Sequence, residues 1–183
     1  SDGSWMNLSF SFMESLGTMV GFFSLKVKEK VILIQELSLK HSAYRSVRSM
    51  VGAELKEGVV HFSRHTDSGC RTLLRLHRSL LWLKLMLEGL AEGPAVDGLY
   101  KTPGELCRDA YKVALAPHHP WVLRQAAELV FLALPDRRYF LQVVCVQSQQ
   151  EATPVLHTII HALTLVHTQT QRILAEHDML ELP

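Results

Sequence analysis

Three arginines and a tryptophan are spaced so that a helix would bring them onto one face. Arg71, Arg75 and Arg78 lie four and three residues apart, and Trp82 follows one turn later. Arginine keeps its charge when buried, and its planar guanidinium donates paired hydrogen bonds to phosphate, sulfate or carboxylate. No acidic residue within this helix has the spacing needed to neutralise the three charges. The pattern favours recognition of an external anion, with Trp82 covering the adjoining part of the ligand.

The arginine row, as we call Arg71, Arg75 and Arg78, has competing explanations. A single arginine most often pairs with a carboxylate elsewhere in the fold or faces water, and a helical adaptor bundle could supply such partners to all three. Nucleic-acid binding would use the same residues, but the net charge is only +1 and the chain has no recognition-helix pattern. The adaptor bundle therefore stays open on the residues alone, whereas we expect no nucleic-acid partner.

The histidines are the other residues that could do chemistry. His118 and His119 lie between two prolines, but no serine or cysteine nucleophile with a positioned acid can be identified by spacing. His157 and His161 are one helical turn apart, yet no third metal ligand accompanies them. We therefore expect no catalytic residue, no metal and no cofactor, and we expect binding rather than chemistry.

Composition favours a single globular domain in a reducing compartment. The chain has 183 residues, of which 48% are hydrophobic and 20% charged, enough to bury a substantial core. Cys70, Cys107 and Cys145 are widely separated and form no CxxC pair, which disfavours a disulfide framework and a zinc site. Residues 3–25 and 152–171 carry little charge, but their polar residues predict that neither segment spans a membrane.

Apolar residues recur at helical spacing almost throughout, which predicts an all-α fold without strands or internal repeats. Candidate helix caps are Ser4 for a first helix and Asp67 or Ser68 for the central helix that carries the arginine row. Thr102 is the candidate cap of the helix that begins at Pro103. The predicted helices cover about 5–16, 22–39, 42–64, the central segment up to a loop at 92–103, then 103–115, 121–134, 137–145 and a last helix that starts at Pro154.

Three segments, SGCRTLLRLHRSLLWL, LAPHHPWVLRQA and AEHDMLELP, resemble the glycolipid transfer protein superfamily, specifically its branch that transfers ceramide-1-phosphate. The similarity runs from about Trp5 to the last residue. It implies one lipid-transfer domain over residues 1–183, folded as a two-layer α-helical sandwich that holds one lipid. The resemblance further implies a cytoplasmic monomer that touches membranes peripherally and transiently. Such a protein would carry ceramide-1-phosphate or a related phospholipid between membranes without chemistry, with its headgroup in a cluster of cations and its chains in an apolar pocket between the layers.

The resemblance assigns the headgroup site residue by residue. Arg71 and Arg75 match the arginines that grip the phosphate, and Arg78 matches a supporting arginine. Lys30 matches a lysine that contacts the same phosphate from the neighbouring helix. Trp82 matches the tryptophan on the headgroup side of the pocket. Because the glycolipid-binding branch lacks the arginine row, a phosphate headgroup is favoured over a sugar.

The remaining assignments concern the ceramide and the membrane. His119 matches a histidine that hydrogen-bonds the ceramide amide, and Trp121 resembles the aromatic residue at the membrane-docking face. Lys26 stands where the family has an aspartate that accepts from the amide N–H, which predicts relaxed selectivity for ceramide. Trp5 aligns well inside the family domain, which predicts that most of the first family helix is missing. The alternative function is a paralogue without transfer activity, acting as a helical protein-interaction or lipid-sensor module.

Overall fold

The computed structural model describes the backbone of residues 21–143 and 148–183 and the side chains of residues 28–139, 141–142 and 148–183. No described residue lies in a strand, which confirms the predicted all-α class. Three predictions fall outside the described residues: the helix after Ser4 that contains Trp5, the position of Cys145, and the side chain of Lys26.

The described part of the chain folds into seven α-helices and two short 3-10 turns. Most helices begin and end within one or two residues of the predicted positions, because their capping signals are local. The helices are α1 (Gly21–Lys40), α2 (Val47–Lys56), α3 (Gly69–Ala91), α4 (Pro103–Ala114), α5 (Trp121–Leu132), α6 (Arg137–Val143) and α7 (Gln149–Glu176), and the 3-10 turns are Ser42–Arg45 and Ala116–His118.

Two helix boundaries correct the sequence-based prediction. The helix predicted over 42–64 is a 3-10 turn followed by α2, which is capped by the Ser46 hydroxyl and ends at Lys56. Gly58 then takes a left-handed φ of 70°, which turns the chain away from the helix axis. The last helix starts at Gln149 and not at Pro154, because the Ser148 hydroxyl caps it and the proline lies inside it.

Helix α3 lies at the centre of the fold and packs against α1, α2, α4 and α7. Its leucines cover both flanks, so that one set joins a core with α4, α5 and α7 and the other joins a second core with α2 and the C-terminal residues. Four of its fully buried side chains, each with at most 1% of its surface exposed, are Leu76, Leu83, Leu87 and Leu90. The burial of both flanks leaves only narrow polar strips, and the arginine row occupies one of them.

A buried carboxylate anchors the start of α3. Glu54 is only 1% exposed, and its carboxylate accepts from the backbone N–H groups of Gly69 at 2.6 Å and Cys70 at 2.9 Å and from the Tyr44 hydroxyl at 2.9 Å. The first N–H groups of a helix lack partners and carry partial positive charge, so a carboxylate satisfies both demands. A Cβ on Gly69 would lie 2.7 Å from the Met50 sulfur, so glycine permits this close approach.

Besides anchoring the start of α3, Glu54 affects the hydroxyl of Tyr44. Burial, followed by the contact with Glu54, raises the pKa of the Tyr44 hydroxyl to about 12.

Polar contacts also hold the C-terminal end of α3. There, Arg137 Nη2 and Gln149 Nε2 donate to the Leu90 carbonyl at 2.7 and 2.9 Å. Polar contacts at both ends thus set the rotation of α3, and with it the direction of the arginine row.

Glu54→Gln is expected to destabilise the protein by about 1–3 kcal/mol, because the two oxygens of Glu54 accept from different N–H groups and the NH2 group of glutamine would face one of these buried donors. Urea denaturation followed by circular dichroism measures the change. Glu57→Gln is the matched control, since Glu57 is exposed at the end of α2. Equal stability of both variants would contradict the anchoring role of Glu54.

Candidate functional site

The arginine row forms as the helical spacing predicts. Arg75 is exposed, whereas Arg71 and Arg78 are half-buried. Burial lowers the pKa of Arg71 and of Arg78, and the nearby charge of Arg75 lowers both further, whereas the Asp67 carboxylate raises the pKa of Arg71 and the Glu181 carboxylate raises that of Arg78. In the described part of the chain, no aspartate or glutamate side chain comes within ion-pair distance of the row. The three guanidinium groups therefore raise a concentrated positive potential at one surface.

The C-terminal segment supplies backbone acceptors to the row, and no local pattern in the sequence predicts them. Arg71 Nε donates to the Pro183 carbonyl at 2.6 Å, and Arg78 Nη2 donates to the Leu180 carbonyl at 2.7 Å. Met179 and Leu182 are buried in the second core and anchor the segment beside the row. These backbone oxygens fix the orientation of the two guanidinium groups, and the nearby Glu181 carboxylate offsets part of the charge of Arg78. The segment thus sets the orientation of two of the three arginines.

Arg75 differs from its two neighbours. Among the described residues it has no hydrogen bond or ion pair through its guanidinium, and its side chain faces solvent. Its five N–H donors are therefore available to a ligand, and a planar fork suits bidentate contact with phosphate.

His119 lies close to the row. Its Nδ1 is 2.8 Å from the Tyr111 hydroxyl, a contact whose donor depends on the tautomer. Burial lowers the pKa of His119, and the positive charges of Arg75, His118 and Arg78 lower it further. A neutral imidazole at pH 7 has one nitrogen held by Tyr111 and one left to donate to or accept from a ligand. Tyr111 was not singled out by the sequence, since nothing local marks it as the partner of His119.

Trp82 lies behind the row, inside the core. It is only 3% exposed, and its Nε1 donates to the Cys107 carbonyl of α4 at 3.1 Å. This contact fixes the indole between α3 and α4. The expected contact of Trp82 with a headgroup stays a prediction.

The other predicted site residues lie on the neighbouring helices. Lys30 is half-buried on α1, which packs against α3. Lys26 is one turn earlier on the same helix, so its backbone lies on the same side of α1. Trp121 opens α5 and is 65% exposed. Three further large apolar side chains of α5 are strongly exposed, namely Val122, Leu129 and Leu132.

A stacked histidine pair, His77 on α3 and His167 on α7, is a second feature that no local pattern in the sequence predicts. The rings of His77 and His167 are 4.1 Å apart and tilted by 11°, and His77 Nε2 is 2.6 Å from Gln171 Oε1. Among the described side chains, His77 Nδ1 and His167 Nε2 are buried without a hydrogen-bond partner. Burial, then the nearby His77 and Lys84, lowers the pKa of His167 to about 4.

The histidine pair predicts acid destabilisation. Because the folded pKa of His167 lies below its ordinary value of about 6.5, the unfolded chain binds the proton first as the pH falls. The free energy of unfolding should therefore fall between about pH 6.5 and pH 4, by about 1–2 kcal/mol from this group, because solvent screens a half-buried ring. Urea denaturation at several pH values measures it. His167→Phe keeps the stacking and should reduce the slope, with the remainder coming from His77, whose pKa burial also lowers; an unchanged slope would contradict the assignment.

Two expectations about the rest of the molecule concern metals and membranes. The described residues contain no group of three or more histidine, cysteine, aspartate or glutamate side chains arranged for a metal ion. His157 and His161 are both exposed on α7. None of the helices in the described ranges is long and apolar enough to cross a membrane.

Comparison with known proteins identifies the family to which the chain belongs. A family model described as Glycolipid transfer protein (GLTP) matches residues 4–146. The Homo sapiens ceramide-1-phosphate transfer protein is 39% identical over 185 residues, covering 98% of this chain and 84% of that protein. Mouse ceramide-1-phosphate transfer protein in its apo form has a TM-score of 0.86 at 36% identity, with 98% of this chain and 86% of that chain covered. The human protein in complex with 12:0 ceramide-1-phosphate has a TM-score of 0.86 at 37% identity, with 95% and 84% covered. The chain therefore belongs to the glycolipid transfer protein family.

Proposed function

We propose that this protein binds one ceramide-1-phosphate or related phosphate-headgroup lipid and transfers it between membranes without chemistry. The arginine row carries the proposal, because three guanidinium groups lie at one surface with no aspartate or glutamate side chain among the described residues in ion-pair contact. The fold adds support, since a relative with a TM-score of 0.86 is a complex with 12:0 ceramide-1-phosphate. The proposed substrate class follows from these two observations together.

The proposed headgroup contacts divide into fixed and adjustable donors. Arg71 and Arg78, held by carbonyls of the C-terminal segment, supply preorganised charge that needs no reorientation when phosphate arrives. Arg75 closes on the phosphate, and Lys30 adds a point charge from α1. His119 hydrogen-bonds the ceramide amide while Tyr111 fixes its ring. Trp82 supports the site from behind.

The apolar surface of α5 supplies the proposed contact with membranes. Trp121 and its exposed apolar neighbours present a surface that could insert among lipid headgroups, where an indole is favourably placed. A monomer that docks in this way would act in the cytoplasm and touch membranes only transiently. The lipid chains would enter the apolar interior between the helix layers.

Lipid extraction tests the proposal most directly. The purified protein should carry a phosphate-headgroup sphingolipid detectable by mass spectrometry, and it should move fluorescent ceramide-1-phosphate between vesicles with saturable kinetics. Absence of bound lipid together with absence of transfer would instead support the alternative, a paralogue acting as a protein-interaction or lipid-sensor module.

Lys26→Asp is expected to raise the preference for ceramide-1-phosphate over phosphatidic acid. A carboxylate at this position could accept from the amide N–H of ceramide, which phosphatidic acid lacks. Competition between the two lipids in the vesicle assay gives the ratio of transfer rates. Lys28→Asp is the control on the same helix, and a ratio unchanged by Lys26→Asp would place residue 26 outside the headgroup site.

A further inference from the structure

A groove that is separate from the arginine row lies between α1, α2, α3 and α7. It has a volume of about 360 Å³, and none of Lys30, Arg71, Arg75, Arg78 and His119 lines it. Leu73 is its contribution from α3, and at about 100° per residue Leu73 points to nearly the opposite side of the helix from Arg71 and Arg75. A molecule in this groove would therefore not overlap with one at the row.

The floor of the groove is apolar. Ile34, Val47, Leu73, Val166 and Ile173 line it from four different helices. Thr170 lines it as well and is only 8% exposed, and its hydroxyl makes no hydrogen bond to the described part of the chain. The volume lies near the low end of the range for small-molecule sites, which is about 300–1,000 Å³. These dimensions suit one hydrocarbon chain better than two.

The rim of the groove is cationic. Arg45, Arg48 and Arg172 line it, and no acidic residue is among its described lining residues. Glu176 lies beside the rim and is shared, with its carboxylate 2.8 Å from Arg48 Nη1 and 3.8 Å from Arg172 Nε. Three positive charges against one negative charge leave a net charge of +2 at the mouth. Arg45 has no ion pair within the described ranges, so its donors are available.

From this combination we infer that the groove binds a single-chain lipid with a phosphate monoester headgroup. The chain would lie on the apolar floor, and the phosphate would meet the three arginines at the rim. A phosphate monoester carries about −1.5 to −2 charges at pH 7, which matches the net charge of the mouth, whereas a carboxylate carries one. Guanidinium forks bind phosphate oxygens in pairs. This site is separate from the proposed headgroup site at the arginine row.

Dodecyl phosphate is the probe, and amide chemical shifts of the intact protein in NMR spectra locate its binding. Shifts at residues 45–48 and 166–173 report the groove, and shifts at residues 71–78 report the arginine row. The groove shifts should saturate in the wild type and equally in Arg75→Leu, so failure of the proposed function leaves this test intact. Dodecanoate should bind the groove at least threefold more weakly, and dodecanol more weakly still.

The variant Arg45→Ala/Arg172→Ala removes the net charge of the mouth and should weaken dodecyl phosphate binding at the groove at least tenfold. Both side chains are exposed, so the fold should be retained. Lys112→Ala/Arg138→Ala removes two exposed cations elsewhere and should leave the affinity within twofold. The inference is overturned if dodecyl phosphate shifts only residues 71–78, if dodecanol or dodecanoate binds the groove as tightly, or if the two double variants bind equally.

Discussion

Arg75→Leu is expected to reduce ceramide-1-phosphate transfer between vesicles by roughly 10- to 100-fold. A charge-assisted hydrogen bond contributes about 1.5–3 kcal/mol, and each 1.4 kcal/mol corresponds to about a tenfold change in affinity. Arg75 has no hydrogen-bond acceptor of its own within the described residues, so its donors are the most available in the row. Leucine keeps part of the apolar stem and removes the charge, which also removes its repulsion of Arg71.

Two controls isolate the role of the Arg75 guanidinium. Arg75→Lys keeps the positive charge but loses the planar fork, so its transfer rate should fall between those of the wild type and Arg75→Leu. Arg138→Leu removes an exposed arginine on α6 and should leave the rate unchanged. A normal rate for Arg75→Leu, with an unchanged melting temperature, would exclude the arginine row as the phosphate site.

The second large effect is expected on the affinity of the protein for membranes. Trp121→Ser should weaken binding to vesicles by roughly tenfold or more, because burial of a large apolar side chain contributes about 1.5–3 kcal/mol. Trp121 is 65% exposed, so its loss leaves no cavity in the core. Affinity for a short-chain ceramide-1-phosphate in solution should not change, since the tryptophan lies outside the proposed headgroup contacts.

Vesicle sedimentation measures this membrane affinity, and isothermal titration measures the affinity for soluble lipid. Leu39→Ser is the matched control, because Leu39 is 87% exposed at the end of α1 and not on α5. An equal loss of vesicle binding in both variants would indicate a general effect of surface hydrophobicity. Loss in Trp121→Ser alone would support docking through α5.

The sequence was most informative where the deciding interactions are local. Ser68 caps α3 by accepting from the Arg71 N–H three residues later at 3.1 Å, and Thr102 and Glu105 form a reciprocal capping box at α4. The spacing of Arg71, Arg75 and Arg78 gives a shared face in any α-helix. These features depend on residues within about one turn, so the pattern alone predicts them. The helical class and the arginine row were predictable for this reason.

Local patterns failed where a competing signal lay a few residues away. Pro154 is typical of a helix start, yet Ser148 begins α7 earlier and the proline is accommodated inside the helix. The helix predicted from Ser42 begins only after Ser46, because a 3-10 turn precedes it. In both cases the direction in which the chain enters the helix determines which serine caps it. That direction depends on how the helix packs against the rest of the fold.

Tertiary structure alone decided how the row is held and what lies around it. The acceptors of Arg71 and Arg78 are 112 and 102 residues away in the sequence, and the carboxylate that anchors α3 comes from Glu54 on another helix. Trp82 shares a helical face with the row, but the approach of α4 buries it. Helical periodicity fixes the angle of a side chain about its own axis. Which partner fills the space opposite depends on how distant segments pack, and no local pattern encodes that choice.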